Sequence, residues 1–161
     1  MGFHSIRIGT KMNLTNMTNE WIYKGVKFNP DEPFTYERYG KEWYGFVYCI
    51  THRGTGRKYI GKKFFWSSKT LPKTKTRKRR QRLKVESDWR TYYGSNKHLN
   101  EEVQQHGADF FNREILHLCK SKGECAYLEA KEQFEREVLL SDDYYNGIIQ
   151  CRIGSNSVKN L

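Results

Sequence analysis

A chain of 161 residues with 29 Lys and Arg against 18 Asp and Glu, a formal net charge of +11, has room for one domain with a modest core and points to a polyanionic partner. It shows no apolar run of membrane-spanning length and no secretory leader, so a reduced, cytoplasmic protein with no membrane partner is expected. Cys49, Cys119, Cys125 and Cys151 form no C-x-x-C pair; Cys119 and Cys125 lie near His117, but the spacing fits no standard zinc finger and buried structural thiols are expected.

The first forty residues carry little chemistry. Met1, Met12 and Met17 are three candidate starts, and residues 1–16 are expected to be a translated leader or disordered tail. Trp21-Ile22-Tyr23, Val26-Lys27-Phe28 and Phe34-Thr35-Tyr36 are short aromatic pieces, the last two separated by Pro30 and Pro33, and they predict an irregular arm packed on a sheet.

Gly45-Phe46-Val47-Tyr48 and Lys58-Tyr59-Ile60-Gly61-Lys62 are rich in β-branched and aromatic residues and flank the turn-forming Thr51–Gly56 segment, the pattern of a β-hairpin. Tyr48 and Tyr59 then stand on neighbouring strands, with Lys62 and Lys63 just past the second. Two phenols and two ammonium groups in one place suit a negatively charged oxygen. Residues 62–85 contain no Asp or Glu and eleven basic side chains, Lys62, Lys63, Lys69, Lys73, Lys75, Arg77, Lys78, Arg79, Arg80, Arg82 and Lys84. Such a block repels itself, so the expectation is a mobile loop that orders on a polyanion.

Beyond it, Ser87 or Asp88 is placed to cap a short helical turn that Gly94 ends, with Arg90 and Tyr93 three apart on one face. Residues 96–106 predict a helix with Leu99 and Val103 inward, stopped by Gly107, and Phe110–Leu118 a third strand. Ser121 and Glu124 have the spacing of a capping box. Along the helix that follows, Tyr127, Phe134 and Val138 form a predicted core stripe, Glu129, Glu132 and Arg136 fall on the opposite side, and Cys125, Leu128 and Leu139 make a flanking apolar patch. Glu132 and Arg136, four apart, have ion-pair spacing. A turn at Asp142–Gly147 precedes a last predicted strand over Ile148–Cys151.

Phe46-Val47-Tyr48 and Tyr59-Ile60-Gly61, with Tyr48 and Tyr59 separated by 11 positions, resemble the two triplets of the GIY-YIG nucleases. The second triplet matches without change; the first has Phe46 for glycine and Val47 for isoleucine. The resemblance runs from Tyr44 to Ile149, and the stretch from Tyr59-Ile60-Gly61-Lys62-Lys63 to Ser87-Asp88-Trp89-Arg90 is similar to small phage-encoded members. It implies an α/β (α+β) fold: a three-stranded, mainly antiparallel sheet flanked by helices, with an N-terminal arm over residues 1–40 and the nuclease-like domain over 41–155, interrupted by the basic insertion at 62–85.

The resemblance also implies roles. Glu129 would bind one Mg²⁺ or Mn²⁺, with Tyr127-Leu128 as its apolar lead-in; Glu132 is the rival, its distance to Asn146 being closer to the family's. Arg90 would grip a phosphate oxygen, with Tyr93 beside it, and Asn146 would support the site from behind. Tyr48 would orient or deprotonate the attacking water next to Tyr59. A free phenol ionises near pH 10, so the latter requires cations that lower its pKa, Lys62 first and Lys63 as the alternative. Lys63, Lys73, Lys75, Arg77, Lys78, Arg79, Arg80, Arg82 and Lys84 would contact DNA. The expected function is metal-dependent DNA endonuclease activity, in the cytoplasm of a phage-infected bacterial host. A non-catalytic basic nucleic-acid-binding protein and a structural subunit that folds around a polyanion are the alternatives. Target sequence and oligomeric state stay open.

Overall fold

In the computed structural model the protein is described over residues 19–161, and the expected leader at 1–16 lies outside the described residues. The predicted hairpin forms strands β3 (Gly45–His52) and β4 (Lys58–Phe64), antiparallel with Tyr48 opposite Gly61. These join β1 (Trp21–Tyr23), β2 (Val26–Lys27) and β7 (Phe111–Cys119) in one sheet of order β2-β1-β7-β3-β4. Two further strands, β5 (Trp66–Leu71) and β6 (Gln81–Glu86), pair separately. The helices are α1 (Lys97–His106) and α2 (Lys122–Glu135).

Five strands, not three, make the central sheet. The two added strands come from the N-terminal arm, whose β1 runs parallel to β7. Trp21 is the anchor: it is buried, meets the rings of Phe46 and Tyr48 edge-on at 4.9 and 5.3 Å, and donates from Nε1 to the Trp89 carbonyl at 2.8 Å. Lys24 and Gly25, both at positive φ (50° and 81°), close β1 onto β2 in the tight turn that suits strand twist.

The sheet is covered on both faces, which explains why β3 is apolar almost throughout and does not alternate. Phe46, Tyr48 and Ile50 point to a cluster with Trp21, Phe65, Trp89, Leu99 and Tyr145, while Val47 and Cys49 point to Ile60, Cys119, Cys125 and Val138 beneath α2. The pairing of β3 with β7 slips between Val47 and Tyr48, a bulge that sharpens the twist at Tyr48.

Three further expectations are corrected. The basic segment is not a loop: Trp66 is buried in the aromatic core and roots a hairpin, β5–β6, whose remaining side chains stay mostly in water, where like charges cost little. Lys62 and Lys63 lie within β4, not past it. Of the predicted α2 stripe Val138 is buried, but Tyr127 and Phe134 are exposed, Phe134 by 63 %, and the helix instead buries Cys125, Ala130 and Gln133. Periodicity missed this because the inward position at 133 is polar, its amide donating to the Ile60 carbonyl at 3.1 Å.

Of the expected caps, Ser121 forms, but neither Ser87 nor Asp88 caps the turn after the basic segment: Ser87 Oγ donates to the Phe64 carbonyl and Asp88 accepts from Lys63. Asn96 Oδ1 accepts from Leu99 N at 3.0 Å and Ser121 Oγ from Glu124 N at 3.1 Å. Ile148–Cys151 is no strand; the segment before it instead covers the outer edge of β4, with Lys58 N donating to Asp143 O and Tyr145 N to Lys58 O, each at 2.8 Å. Cys49, Cys119 and Cys125 are buried free thiols, and His117 bonds to Glu132.

Candidate active site

A cleft of about 500 Å³ straddles the outer edge of β4. Strand alternation supplies its two walls. Tyr59 and Lys63 project from the face that carries Tyr48, and Lys62 projects from the opposite face, toward Glu129 of α2. Gly61 sits between them and leaves the opening: a Cβ there would lie 2.5 Å from the Tyr48 hydroxyl oxygen. The glycine of the second triplet thus has a steric cause in this chain.

Tyr48 is 1 % exposed, with Tyr59 and Tyr92 rings each 6.1 Å from its own. Burial pushes its phenol well above the ordinary value, and Tyr92, Tyr59 and the Glu129 carboxylate push it the same way. The cation expected to lower it is elsewhere: the Lys62 ammonium is bonded to Glu129, whose side chain is 13 % exposed. Tyr59 Oη shares a hydrogen bond with Ser95 Oγ at 3.2 Å.

The two glutamates separate cleanly. Glu129 lines the cleft and a neighbouring cavity of about 400 Å³. Glu132 turns away to His117 Nε2 at 2.6 Å and Arg136 Nε at 2.7 Å. Although burial pushes the Glu132 carboxyl up, these two partners hold it below the ordinary range.

Arg90 and Tyr93 are not brought into the cleft. The Arg90 guanidinium donates to Glu86 at 2.7 Å and Glu32 at 2.9 Å and lies over the Trp89 ring at 4.7 Å. Tyr93 packs against the buried Arg113 guanidinium, which donates to the carbonyls of Arg90 at 2.9 Å and Tyr92 at 3.0 Å. Helical spacing fails here because the turn is a single 3₁₀ turn, Trp89–Thr91, and Tyr92 is already extended. Extended backbone sends adjacent side chains to opposite sides, so Tyr92, not Tyr93, meets Tyr48. Lys63 is the cation beside them, 3.7 Å from the Tyr92 ring centre and 2.6 Å from an Asp88 oxygen. Tyr92, Ser95 and Gln133 were missed in sequence; Arg113 had a signal, a charge at an inward position of the third strand between Phe111 and Ile115.

Asn146 is buried behind the cleft, accepting from Ile60 N at 2.9 Å and donating to Ile60 O at 2.8 Å. In this way a side chain completes the edge of β4 between Tyr59 and Gly61. Because Gln133 also serves the Ile60 carbonyl, Asn146→Ala leaves only the amide N–H orphaned. We expect a loss of about 1–3 kcal/mol, read as a lower denaturant midpoint at unchanged slope.

Of the basic hairpin, Lys73, Lys78, Arg79 and Arg80 line a concavity at its tip, and Lys75 and Arg82 are exposed. Arg77 is folded back, its guanidinium donating to the Pro72 carbonyl at 2.8 Å, and Lys84 donates to the Tyr44 hydroxyl at 3.1 Å.

A family model described as "Putative endonuclease segE, GIY-YIG domain" matches residues 21–149, which takes in the arm, both triplets, the hairpin, both helices and Asn146. The chain belongs to the GIY-YIG nuclease family. No curated protein and no solved structure matches it. The GIY-YIG domain therefore carries its first triplet on the interior strand β3 and its second on the edge strand β4, with the family assignment resting on 129 positions that begin at Trp21.

Among the described residues no group of three His, Cys, Asp or Glu converges on one point. A closed protein cage is not built here. Of the three carboxylates that line the cleft, Glu86 pairs with Arg90 and Asp88 with Lys63 near its rim, while the largely buried Glu129 is the one that could hold a hard cation that keeps most of its waters and shares a substrate phosphate, the usual manner of Mg²⁺.

Proposed function

We propose that this chain is a Mg²⁺- or Mn²⁺-dependent endonuclease that hydrolyses phosphodiester bonds of DNA, acting in the cytoplasm of a phage-infected bacterial host. The observation that supports it is the convergence of Tyr48, Tyr59, Lys62, Lys63 and Glu129, from three elements, on one cleft. Hydrolysis needs an activated water, neutralisation of the growing charge on the phosphate, and help for the leaving oxygen. Glu129 holds the cation, which when bound supplies Lewis-acid stabilisation of the phosphate and leaving oxygen. The Tyr48 hydroxyl, fixed by its packing and keeping its proton in the free chain, orients the attacking water with Tyr59 beside it. Lys62 is placed to move from Glu129 to a phosphate oxygen. With Arg90 held by two carboxylates, Lys63 takes the phosphate-gripping part, since its partner Asp88 is exposed by 69 % and easily exchanged. No helix of the described residues is long and apolar enough to cross a membrane.

Supercoiled plasmid incubated with the protein tests this. Conversion to open-circular or linear DNA is expected with Mg²⁺ or Mn²⁺ and not with EDTA. Plasmid that stays supercoiled under every metal condition while still binding the protein would show a basic binding protein without catalysis.

A further inference from the structure

We infer that the β5–β6 hairpin is a ribbon that enters the major groove of duplex DNA and lays the duplex across the cleft. The inference rests on the nuclease reading and extends it to how substrate is held. Its first support is position: Trp66, Ser67 and Glu86, the two ends of the hairpin, line the cleft itself, so whatever the ribbon grips is delivered to Tyr48. The second is dimension. Strands of six residues span about 20 Å, and the major groove, about 12 Å wide, admits a two-stranded ribbon. The third is charge, since residues 62–85 carry eleven Lys and Arg and no acidic residue.

The register divides the ribbon into two unlike faces. One carries Trp66, Ser68 and Thr70 opposite Glu86, Lys84 and Arg82, and its root is occupied by the protein: Trp66 stacks on Phe34 at 4.7 Å and Lys84 reaches Tyr44. The other presents exposed Ser67, Lys69, Gln81 and Leu83. Lys and Gln are side chains that hydrogen-bond guanine and adenine edges, and an aliphatic group suits the thymine methyl. This open face meets the bases. At the tip, Arg77 braces the turn through the Pro72 carbonyl, which leaves Lys73, Lys78, Arg79 and Arg80 to meet phosphates across the groove.

The test uses the full chain in EDTA with a 30-base-pair duplex, followed by fluorescence anisotropy against two competitors. Methyl green, which occupies the major groove, should displace the protein; netropsin, which occupies the minor groove, should not. In the combined variant Lys73→Ala, Lys78→Ala, Arg79→Ala and Arg80→Ala, the log–log salt slope should flatten by up to about 0.9 per lost contact, with unchanged circular dichroism. Displacement by netropsin alone, or an unchanged salt slope, overturns the ribbon while plasmid cleavage leaves the nuclease standing. A chain that binds no duplex even at low salt and cuts no plasmid overturns both.

Discussion

Glu129→Ala should lose plasmid cleavage by about 10³-fold or more while binding DNA as tightly as the parent or slightly better. Removing the one cleft carboxylate that α2 supplies takes away several kcal/mol of charge stabilisation at the reacting phosphate, and about 1.4 kcal/mol corresponds to each tenfold. The same substitution frees Lys62 for a phosphate and removes a repelling charge, so affinity does not fall. Glu132→Ala is the control that separates the two glutamates. It should cut within a few-fold of the parent yet unfold more easily by about 1–3 kcal/mol, because His117 and Arg136 both lose a close, largely buried partner. That cost exceeds the few tenths expected of a helix-surface pair, and the difference comes from the histidine on β7, which helical spacing does not reveal. Initial nicking rates and thermal melts on the two variants check both halves. A dead Glu132→Ala beside an active Glu129→Ala would place the metal ligand one helical turn away.

What was legible in the chain and what was not follows from the range of the forces involved. The triplet strands, the Ser121 cap and the helix Lys97–His106 are written in short-range pattern, and each forms where expected. Strand β1 has three residues and a parallel partner far along the chain, so nothing local marks it except the bulk of Trp21. The hairpin β5–β6 alternates Ser, Lys and Thr against Arg, Leu and Lys, a strand pattern concealed by the charge that dominates its composition. Arg90 and Tyr93 were paired by helical spacing across a turn that ends at Thr91, and the neighbouring Tyr92 took the place beside Tyr48. On α2 the exposed Phe134 and buried Gln133 reverse the usual sorting, because the helix packs on an edge strand whose Ile60 carbonyl needs a donor. Such reversals concentrate around the cleft, where polar side chains are buried to hold the backbone of an open strand edge.

Tyr48→Phe should slow cleavage by about 10²-fold or more with little change in stability. The ring makes the packing contacts, with Trp21 at 5.3 Å and Phe46 at 6.0 Å, and phenylalanine keeps them. Only the hydroxyl is lost, and it stands over Gly61 at the wall of the cleft. Tyr59→Phe is the informative comparison: its hydroxyl bonds Ser95, and its loss should cost less than that of Tyr48 if the buried phenol orients the water and the outer one assists. Burial raises the Tyr48 pKa in the free chain, so its uncharged, proton-donating form is the one present throughout the neutral range. The folding contribution of that phenol is complete below pH 10 and declines only as the pH climbs toward its raised value, so the two proteins should melt alike at pH 7. Equal melts with unequal nicking rates assign the hydroxyl to chemistry. Equal rates would remove Tyr48 from the mechanism and leave the cleft to Glu129 and the lysines.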